Sequence, residues 1–272
     1  MEKFQTKPLS LTVYNADENS FGVASVLVSG ENETILIDAQ FTLSDAQKLV
    51  DEIKASGKKL TAIYVSHGDP DYYFGLEVIK RNFPEVTVYA TSYTVEHIKK
   101  TSQKKLDVWG PKLNENGTKN IVLPQVLPAN YLELEGHKIE IMGLEGDFPE
   151  RTYVWIPSSK AILGGVNVFG NLHLWTADGA SIEDRKKWTN SLNQMLDLKP
   201  QIVVPGHFKK GTVLDTTAIE FSKNYLASFE TELAKADSST ALSDVMKKQF
   251  PNLGMTFSVE LGAKVNKGEI KW

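Results

Sequence analysis

The segment "SHGDPDYYFG", residues 66–75, places His67, Asp69 and Asp71 at alternating positions in one short loop. An imidazole and two carboxylates at this spacing could turn toward a single cation, and such side chains are ligands of divalent metal ions. The same residues also suit an ordinary turn, because Asp bonds to nearby backbone groups and Pro restricts the chain. The loop alone therefore leaves a metal site and a plain turn open.

A second histidine, His207, stands at the end of the apolar run "QIVVPGH". The run "LTAIYVS" precedes His67 in the same way, and both runs are typical of buried strands. Proteins of the α/β class commonly build their sites from polar groups at the carboxyl ends of strands. This position makes His67 and His207 the two histidines with the best claim to a functional role.

Predicted strands and helices alternate over residues 35–90 and again over 150–210, and an antiparallel strand–turn–strand unit heads each half. This order predicts a layered α/β sandwich with helices on the outside. Residues 107–130 are rich in Gly, Asn and Pro and are predicted to form a long loop. The predicted organisation is a sandwich domain over residues 1–212 and a helical extension over 213–272, packed on the same domain.

The composition excludes several classes of protein. The chain has 272 residues, 41% of them hydrophobic, and a formal net charge of −4 without any basic stripe. That charge pattern argues against nucleic acid and against a membrane surface as partners. The absence of Cys excludes disulfides, thiolate zinc sites and cysteine nucleophiles. The first residues lack the apolar core of a signal peptide, so we expect a cytoplasmic protein, or a periplasmic or secreted one if a signal peptide has been removed.

Four segments together resemble the metallo-β-lactamase-fold superfamily. "AIYVSHGDPDYYFGLEVI" resembles its signature loop, in which the pattern H-x-H-x-D-H is followed by Gly. "ILIDAQ" is similar to its strand ending in Asp, "LGGVNVFGNLHLWTAD" to the segment with a metal-bridging Asp, and "VVPGHF" to the late strand with the last His ligand. The similarity runs from residue 10 to residue 210. It implies a four-layer αββα sandwich in which two mixed sheets are flanked by helices.

The resemblance also implies a divergent set of metal ligands. The positions that keep the superfamily's ligand type are His67, Asp71 and His207. The positions where another oxygen donor stands in place of a histidine are Asp69, Tyr72 and Glu145. Gly165 falls where the bridging Asp is expected, so nothing would clamp a second ion to a first one. We therefore expect one oxygen-rich metal site rather than two ions.

The activity implied by the resemblance is hydrolysis of a small-molecule ester, lactone, amide or phosphoester. The expected ligands of a single Mn, Fe, Zn or Mg ion are His67, Asp69, Glu145 and His207. Asp71 would orient the attacking water or accept its proton, and Tyr72 would donate a hydrogen bond to the developing oxyanion. Asp38 would support the ligand loop through hydrogen bonds. His173 and Trp175 would line the mouth of the pocket, although His173 equally fits a buried histidine bonded to the backbone.

A metal-free interpretation is also open. Asp69, Asp71 and Glu145 would repel one another without a cation, which would raise at least one pKa. Protonation could relieve that repulsion, and so could a Lys or Arg side chain such as Arg151. The protein would then be a catalytically silent binding protein that holds a small-molecule ligand on the same scaffold. The acidic net charge makes a nuclease the weakest alternative.

Overall fold

The computed structural model describes residues 1–146 and 148–272. Its strands are β1 (Glu2–Gln5), β2 (Ser10–Asn15), β3 (Ala24–Ser29), β4 (Glu33–Ile37), β5 (Lys59–Val65), β6 (Thr87–Ala90), β7 (Gln125–Val126), β8 (Tyr131–Leu134), β9 (His137–Met142), β10 (Tyr153–Ile156), β11 (Ala161–Leu163), β12 (Phe169–Gly170), β13 (Ile202–Val203) and β14 (His207–Phe208). Its α-helices are α1 (Leu43–Ser56), α2 (Pro70–Tyr73), α3 (Leu76–Asn82), α4 (Ser92–Leu113), α5 (Ile182–Asp197), α6 (Thr216–Lys235), α7 (Ser239–Gln249) and α8 (Thr256–Asn266).

Two mixed sheets form the centre of the fold. The larger sheet takes β1 to β7 in chain order, antiparallel from β1 to β4 and parallel from β4 to β7. The smaller sheet has the order β13-β11-β10-β9-β8, in which β11 and β13 are parallel and the other pairs antiparallel. Strands β12 and β14 form a separate parallel pair. Together with the helices packed outside, these sheets confirm the predicted αββα sandwich.

The two sheets share an apolar core. Alternate residues of β3, such as Val26 and Val28, and of β9, such as Ile139 and Ile141, belong to the same buried apolar cluster. This period of two follows from the pleat, which points successive side chains to opposite faces of a sheet. A second apolar cluster buries the inner faces of α1, α3 and α5 against the outer faces of the sheets. The helices thus cover both sides of the sandwich and leave the strand ends to form the site.

Helix α4 is longer than the sequence predicts. It continues to Leu113 with Pro111 inside it, so the predicted loop over residues 107–130 was wrong for its first seven residues and for the short strand β7. Leu106 and Trp109 pack against the apolar core. Tertiary contact of this kind overrides the weak local preferences on which the loop prediction rested.

The last three helices pack onto the sandwich. Helix α6 lies against α5, β12 and β13, and α7 lies against α6 and α8. Leu172 and Gly254 form an isolated β-bridge, and the backbone N–H of His173 donates to the carbonyl of Gly254 at 3.0 Å. The division of the chain between residues 212 and 213 stays a prediction. Among the described residues, no helix is long and apolar enough to cross a membrane.

Candidate active site

The candidate site is built where β4 and β5 end side by side. Asp38 follows β4 in the left-handed region, with φ +63°. Its carboxylate accepts a hydrogen bond from the backbone N–H of Ser66 at 2.7 Å and another from the Ser66 hydroxyl at 2.6 Å. The same hydroxyl oxygen accepts a hydrogen bond from the N–H of Gly165 at 2.7 Å. These bonds join the ends of β4, β5 and β11 next to the loop that carries His67.

We expect the contribution of Asp38 to the free energy of unfolding to fall as the pH rises from about 4 to about 7. Burial raises the pKa of Asp38 from 3.8 to about 7, although the two hydrogen bonds from Ser66 oppose the shift. A carboxyl whose pKa is higher in the folded state stabilises the fold below its unfolded pKa. That contribution is lost as the pH rises through the folded pKa. The shift corresponds to a loss of about 4 kcal/mol.

Urea unfolding of the wild type and of Asp38→Asn at several pH values measures this contribution. Asparagine does not titrate, so the difference in unfolding free energy between the two proteins should move against the wild type as the pH rises from about 4 to about 7. A difference that stays constant over this range would show that Asp38 keeps an ordinary pKa.

His67 and Asp69 form the first half of the site. Nε2 of His67 lies 3.3 Å from Oδ2 of Asp69, and Nδ1 of His67 is buried without a hydrogen-bond partner among the described residues. The ammonium of Lys105 lies 2.8 Å from Oδ1 of Asp69. Burial alone would raise the pKa of Asp69, but His67 and then Lys105 hold it well below its ordinary value. Asp69 is therefore a charged carboxylate between two basic side chains.

Lys105, on α4, is the site residue that the sequence did not reveal. Its ammonium also donates to the carbonyl oxygen of Gly68 and to Nε2 of His97, each at 2.8 Å. Partial burial of the imidazole and then the charge of Lys105 lower the pKa of His97 to about 4, so Nε2 is free to accept. The cation that meets the loop is thus Lys105, whereas Arg151 is stacked 4.2 Å over the ring of Trp188.

His207, Tyr72 and Asp71 form the second half of the site. The Tyr72 hydroxyl lies 3.0 Å from Nε2 of His207, and Oδ2 of Asp71 lies 3.5 Å from the same nitrogen. Nδ1 of His207 is 3.1 Å from the carbonyl oxygen of Phe21. A carbonyl only accepts, so Nδ1 carries the hydrogen and Nε2 accepts from Tyr72. Burial lowers the pKa of His207 to about 4, in agreement with a neutral ring.

Tyr72 contacts both halves. Its ring meets the imidazole of His67 edge to face, with the ring centroids 5.3 Å apart, and the imidazole of His207 in the same way at 5.6 Å. Burial and then the charge of Asp71 raise the pKa of Tyr72 well above 10. Burial and then the charge of Asp69 likewise raise the pKa of Asp71 well above its ordinary value. The two halves are therefore joined by the neutral phenol of Tyr72, and the Asp71 carboxyl beside His207 tends to keep its proton.

The position of the expected bridging carboxylate has no room for a side chain. Gly165 has φ +74°, and a Cβ placed on it would lie 2.2 Å from the carbonyl oxygen of Thr152. A Cβ on Gly206 would lie 2.0 Å from the carbonyl oxygen of Gly165. The next residue, Val166, is buried and apolar. Backbone packs directly against backbone here, so neither Gly165 nor Val166 supplies a metal ligand.

Glu145 is exposed and forms no ion-binding group with the histidines among the described residues. It lies on the segment after β9. Within residues 1–146 and 148–272, no three His, Asp or Glu side chains lie close enough together to hold an ion. The expected ligands near the strand ends instead form two pairs, His67 with Asp69 and His207 with Asp71. The metal-binding role of these residues stays a prediction.

The two residues expected at the pocket mouth make other contacts. His173 is buried, with Nδ1 2.9 Å from the hydroxyl of Tyr225. Trp175 is partly exposed and packs edge to face against Trp272, with centroids 5.4 Å apart, and against Phe257 at 6.0 Å. Neither of them lines the cavity beside His67, and their predicted pocket role stays a prediction.

A cavity of about 450 Å³ opens beside the first half of the site. Its wall includes His67, Gly68, Tyr93, His97, Lys100 and Glu150. This volume is in the range of small-molecule sites. An imidazole, charged groups of both signs and an aromatic ring at the start of α4 give the cavity both a reactive group and groups for recognition.

Comparison with known proteins gives consistent matches. The family model described as "Metallo-beta-lactamase superfamily" matches residues 19–207. A protein from Pseudomonas aeruginosa described as metallo-beta-lactamase type 2 is 26% identical over 203 residues, which cover 71% of this chain and 72% of that protein.

Two solved structures share the fold at 18% sequence identity. A metallo-beta-lactamase family protein from Thermus thermophilus has a TM-score of 0.66, and the match covers 96% of this chain and 93% of that one. A metallo-beta-lactamase from Pontibacter korlensis has a TM-score of 0.58, and the match covers 83% of this chain and 98% of that one. The first match thus extends over nearly the whole chain, including most of the C-terminal helices.

Proposed function

The chain belongs to the metallo-beta-lactamase superfamily, and we propose that it is a hydrolase of a small-molecule ester or lactone with its reactive centre at His67. One observation carries the proposal. His67 lines a cavity of about 450 Å³, and its Nδ1, although buried, has no hydrogen-bond partner among the described residues. Such a nitrogen can take a proton from water once a turn of the ring brings it to the cavity.

Superfamily members typically bind divalent metal ions, so the question is whether the side chains of this site are arranged to hold one. The described donors lie in two pairs and not in one group. The carboxylate of Asp69 already has a cation, Lys105, at 2.8 Å, and the Tyr72 hydroxyl faces His207. These residues, as arranged, do not fit a resident metal ion. The chemistry is therefore assigned to the side chains alone.

The pair formed by His67 and Asp69 can act as a general base. Asp69 faces Nε2 of His67 at 3.3 Å, which orients the ring and favours the positive charge that develops on it. Nδ1 then removes a proton from a water molecule that attacks the carbonyl carbon of the substrate. The same nitrogen returns the proton to the leaving oxygen when the carbon–oxygen bond breaks. Lys105 balances the remaining charge of Asp69.

The substrate class follows from the limits of this machinery. An alkoxide leaves from an ester or lactone more readily than an amine leaves from an amide, so a single base is sufficient. A phosphoester brings negative charge toward the carboxylates of Asp69 and Glu150. Esters and lactones are therefore the first substrates to test, with amides and phosphoesters as comparisons.

The purified protein is expected to contain well under one equivalent of Mn, Fe, Zn or Mg. Because Lys105 already pairs with Asp69, a chelator should change neither the melting temperature nor the hydrolysis of esters and lactones. Elemental analysis before and after chelation makes the measurement. One ion per chain that disappears in Asp69→Ala would instead support the metal-dependent hydrolase implied by the sequence resemblance.

A catalytically silent binding protein is the second candidate, and one feature favours it. The three ammonium hydrogens of Lys105 have acceptors at Gly68, Asp69 and His97, and the Tyr72 hydroxyl faces His207. No donor in this set is free to stabilise an oxyanion. If small molecules raise the melting temperature but no ester, lactone, amide or phosphoester is turned over, the binding protein is the better description.

A further inference from the structure

The environment of Lys105 resembles the coordination shell of a metal ion. Its ammonium is surrounded by a backbone carbonyl oxygen of Gly68, a carboxylate oxygen of Asp69 and the imidazole Nε2 of His97, all at 2.8 Å. An ammonium group has three hydrogens to donate, so each of them has one acceptor. The side chain is 18% exposed, and its charged end is therefore largely enclosed.

The same three acceptors are ligands of divalent ions. Imidazole nitrogen and carboxylate oxygen bind zinc and related metals at about 2.0–2.2 Å, with a further position open to water. Each acceptor now lies 2.8 Å from Nζ of Lys105, so it would need to move inward by less than about 1 Å to bind an ion at that point. Two of the three acceptors are side-chain atoms, of Asp69 and His97.

The backbone is shaped to bring α4 against the loop. A Cβ on Gly68 would lie 2.7 Å from Cδ2 of His97. Only a glycine at this position lets the ring approach so closely, and the approach places His97, Asp69 and the Gly68 carbonyl around one point. The three acceptors around Lys105 are therefore held together by the packing of the loop against α4 as well as by the charges of Lys105 and Asp69.

We infer that Lys105 is a built-in cation that fills a divalent-metal site formed by Gly68, Asp69 and His97, and that removal of its ammonium makes the site available to a metal ion. This site uses a histidine of α4 and differs from the ligand set implied by the sequence resemblance. The inference does not rest on the proposed hydrolysis, because it is read out by metal binding.

The test is a titration of metal-free Lys105→Met with Co²⁺. Binding is monitored by calorimetry and by the visible absorption of the bound ion. We expect about one equivalent to bind at least about tenfold more tightly than to the wild type, and the melting temperature of the variant to rise with the metal. Lys100→Met is the matched control, because Lys100 lines the same cavity on the same helix but lies outside the three-acceptor cluster. It should bind Co²⁺ no better than the wild type.

Two further results decide the matter. Adding His97→Gln to Lys105→Met should abolish the gained binding, and binding that persists would overturn the inference, as would equal binding by the wild type. If Lys105→Met does not fold alone, it is refolded from urea with and without Co²⁺. Recovery only with the metal supports the site, and no recovery in either case refutes it.

Discussion

Replacing His67 with glutamine is expected to lower the hydrolysis of ester or lactone substrates by about 10²–10⁴-fold, because the glutamine side chain cannot take a proton from water. The loss should appear in kcat, with KM and the melting temperature nearly unchanged. His67 is only partly buried, and its Nδ1 makes no hydrogen bond among the described residues. The fold therefore does not depend on the proton-accepting nitrogen.

The matched control for that variant is His137→Gln. His137 begins β9 and does not line the cavity, so the same change there should leave kcat unaltered. Rates are measured on a panel of esters and lactones. A variant that keeps its rate within about threefold would remove His67 from the mechanism.

Gly165→Asp is expected to destabilise the protein by about 3 kcal/mol or more, and not to restore a bridging metal ligand. The residue has φ +74°, where an L side chain is strained. Its Cβ would also lie 2.2 Å from the carbonyl oxygen of Thr152, a backbone atom that moves only with its whole segment. Strain and overlap therefore act together.

Gly57→Asp separates the two causes. Gly57 ends α1 with φ +69°, almost the same as Gly165, and a Cβ there meets no atom within 4 Å. The same substitution should then cost only about 1–2 kcal/mol, which reflects the backbone conformation alone. Urea unfolding of both variants gives the comparison. Equal losses in the two proteins would mean that the packing around Gly165 is looser than the structure shows.

The fold class was predictable from the sequence, and so was the loop that carries the candidate site. Runs such as "LTAIYVS" and "QIVVPGH" identify buried strands because burial requires apolar side chains, and that requirement is visible locally. His67, Asp69 and Asp71 are neighbours in one short loop, so chain connectivity alone keeps them together. The αββα sandwich follows from the order of such segments.

The partners of those residues were not predictable in the same way. Helix α4 runs past Pro111 because Trp109 packs against the core. One turn before Trp109, the same helix places Lys105 next to Asp69. Glu145 is a carboxylate at a suitable place in the sequence, yet it is exposed and joins no ion-binding group among the described residues. Side chains brought together from distant segments depend on helix length and packing, which local patterns do not encode.

The sequence by itself thus determined the scaffold and the loop "SHGDPDYYFG", because both depend on local periodicity and adjacency. The tertiary structure alone decided which cation faces Asp69 and which nitrogen of His207 accepts from Tyr72. Both are contacts between segments far apart in the chain, where differences of about 1 Å in packing separate a bound ion from a buried lysine. The closed backbone at Gly165 has the same origin, since only the position of Thr152 shows that a side chain does not fit.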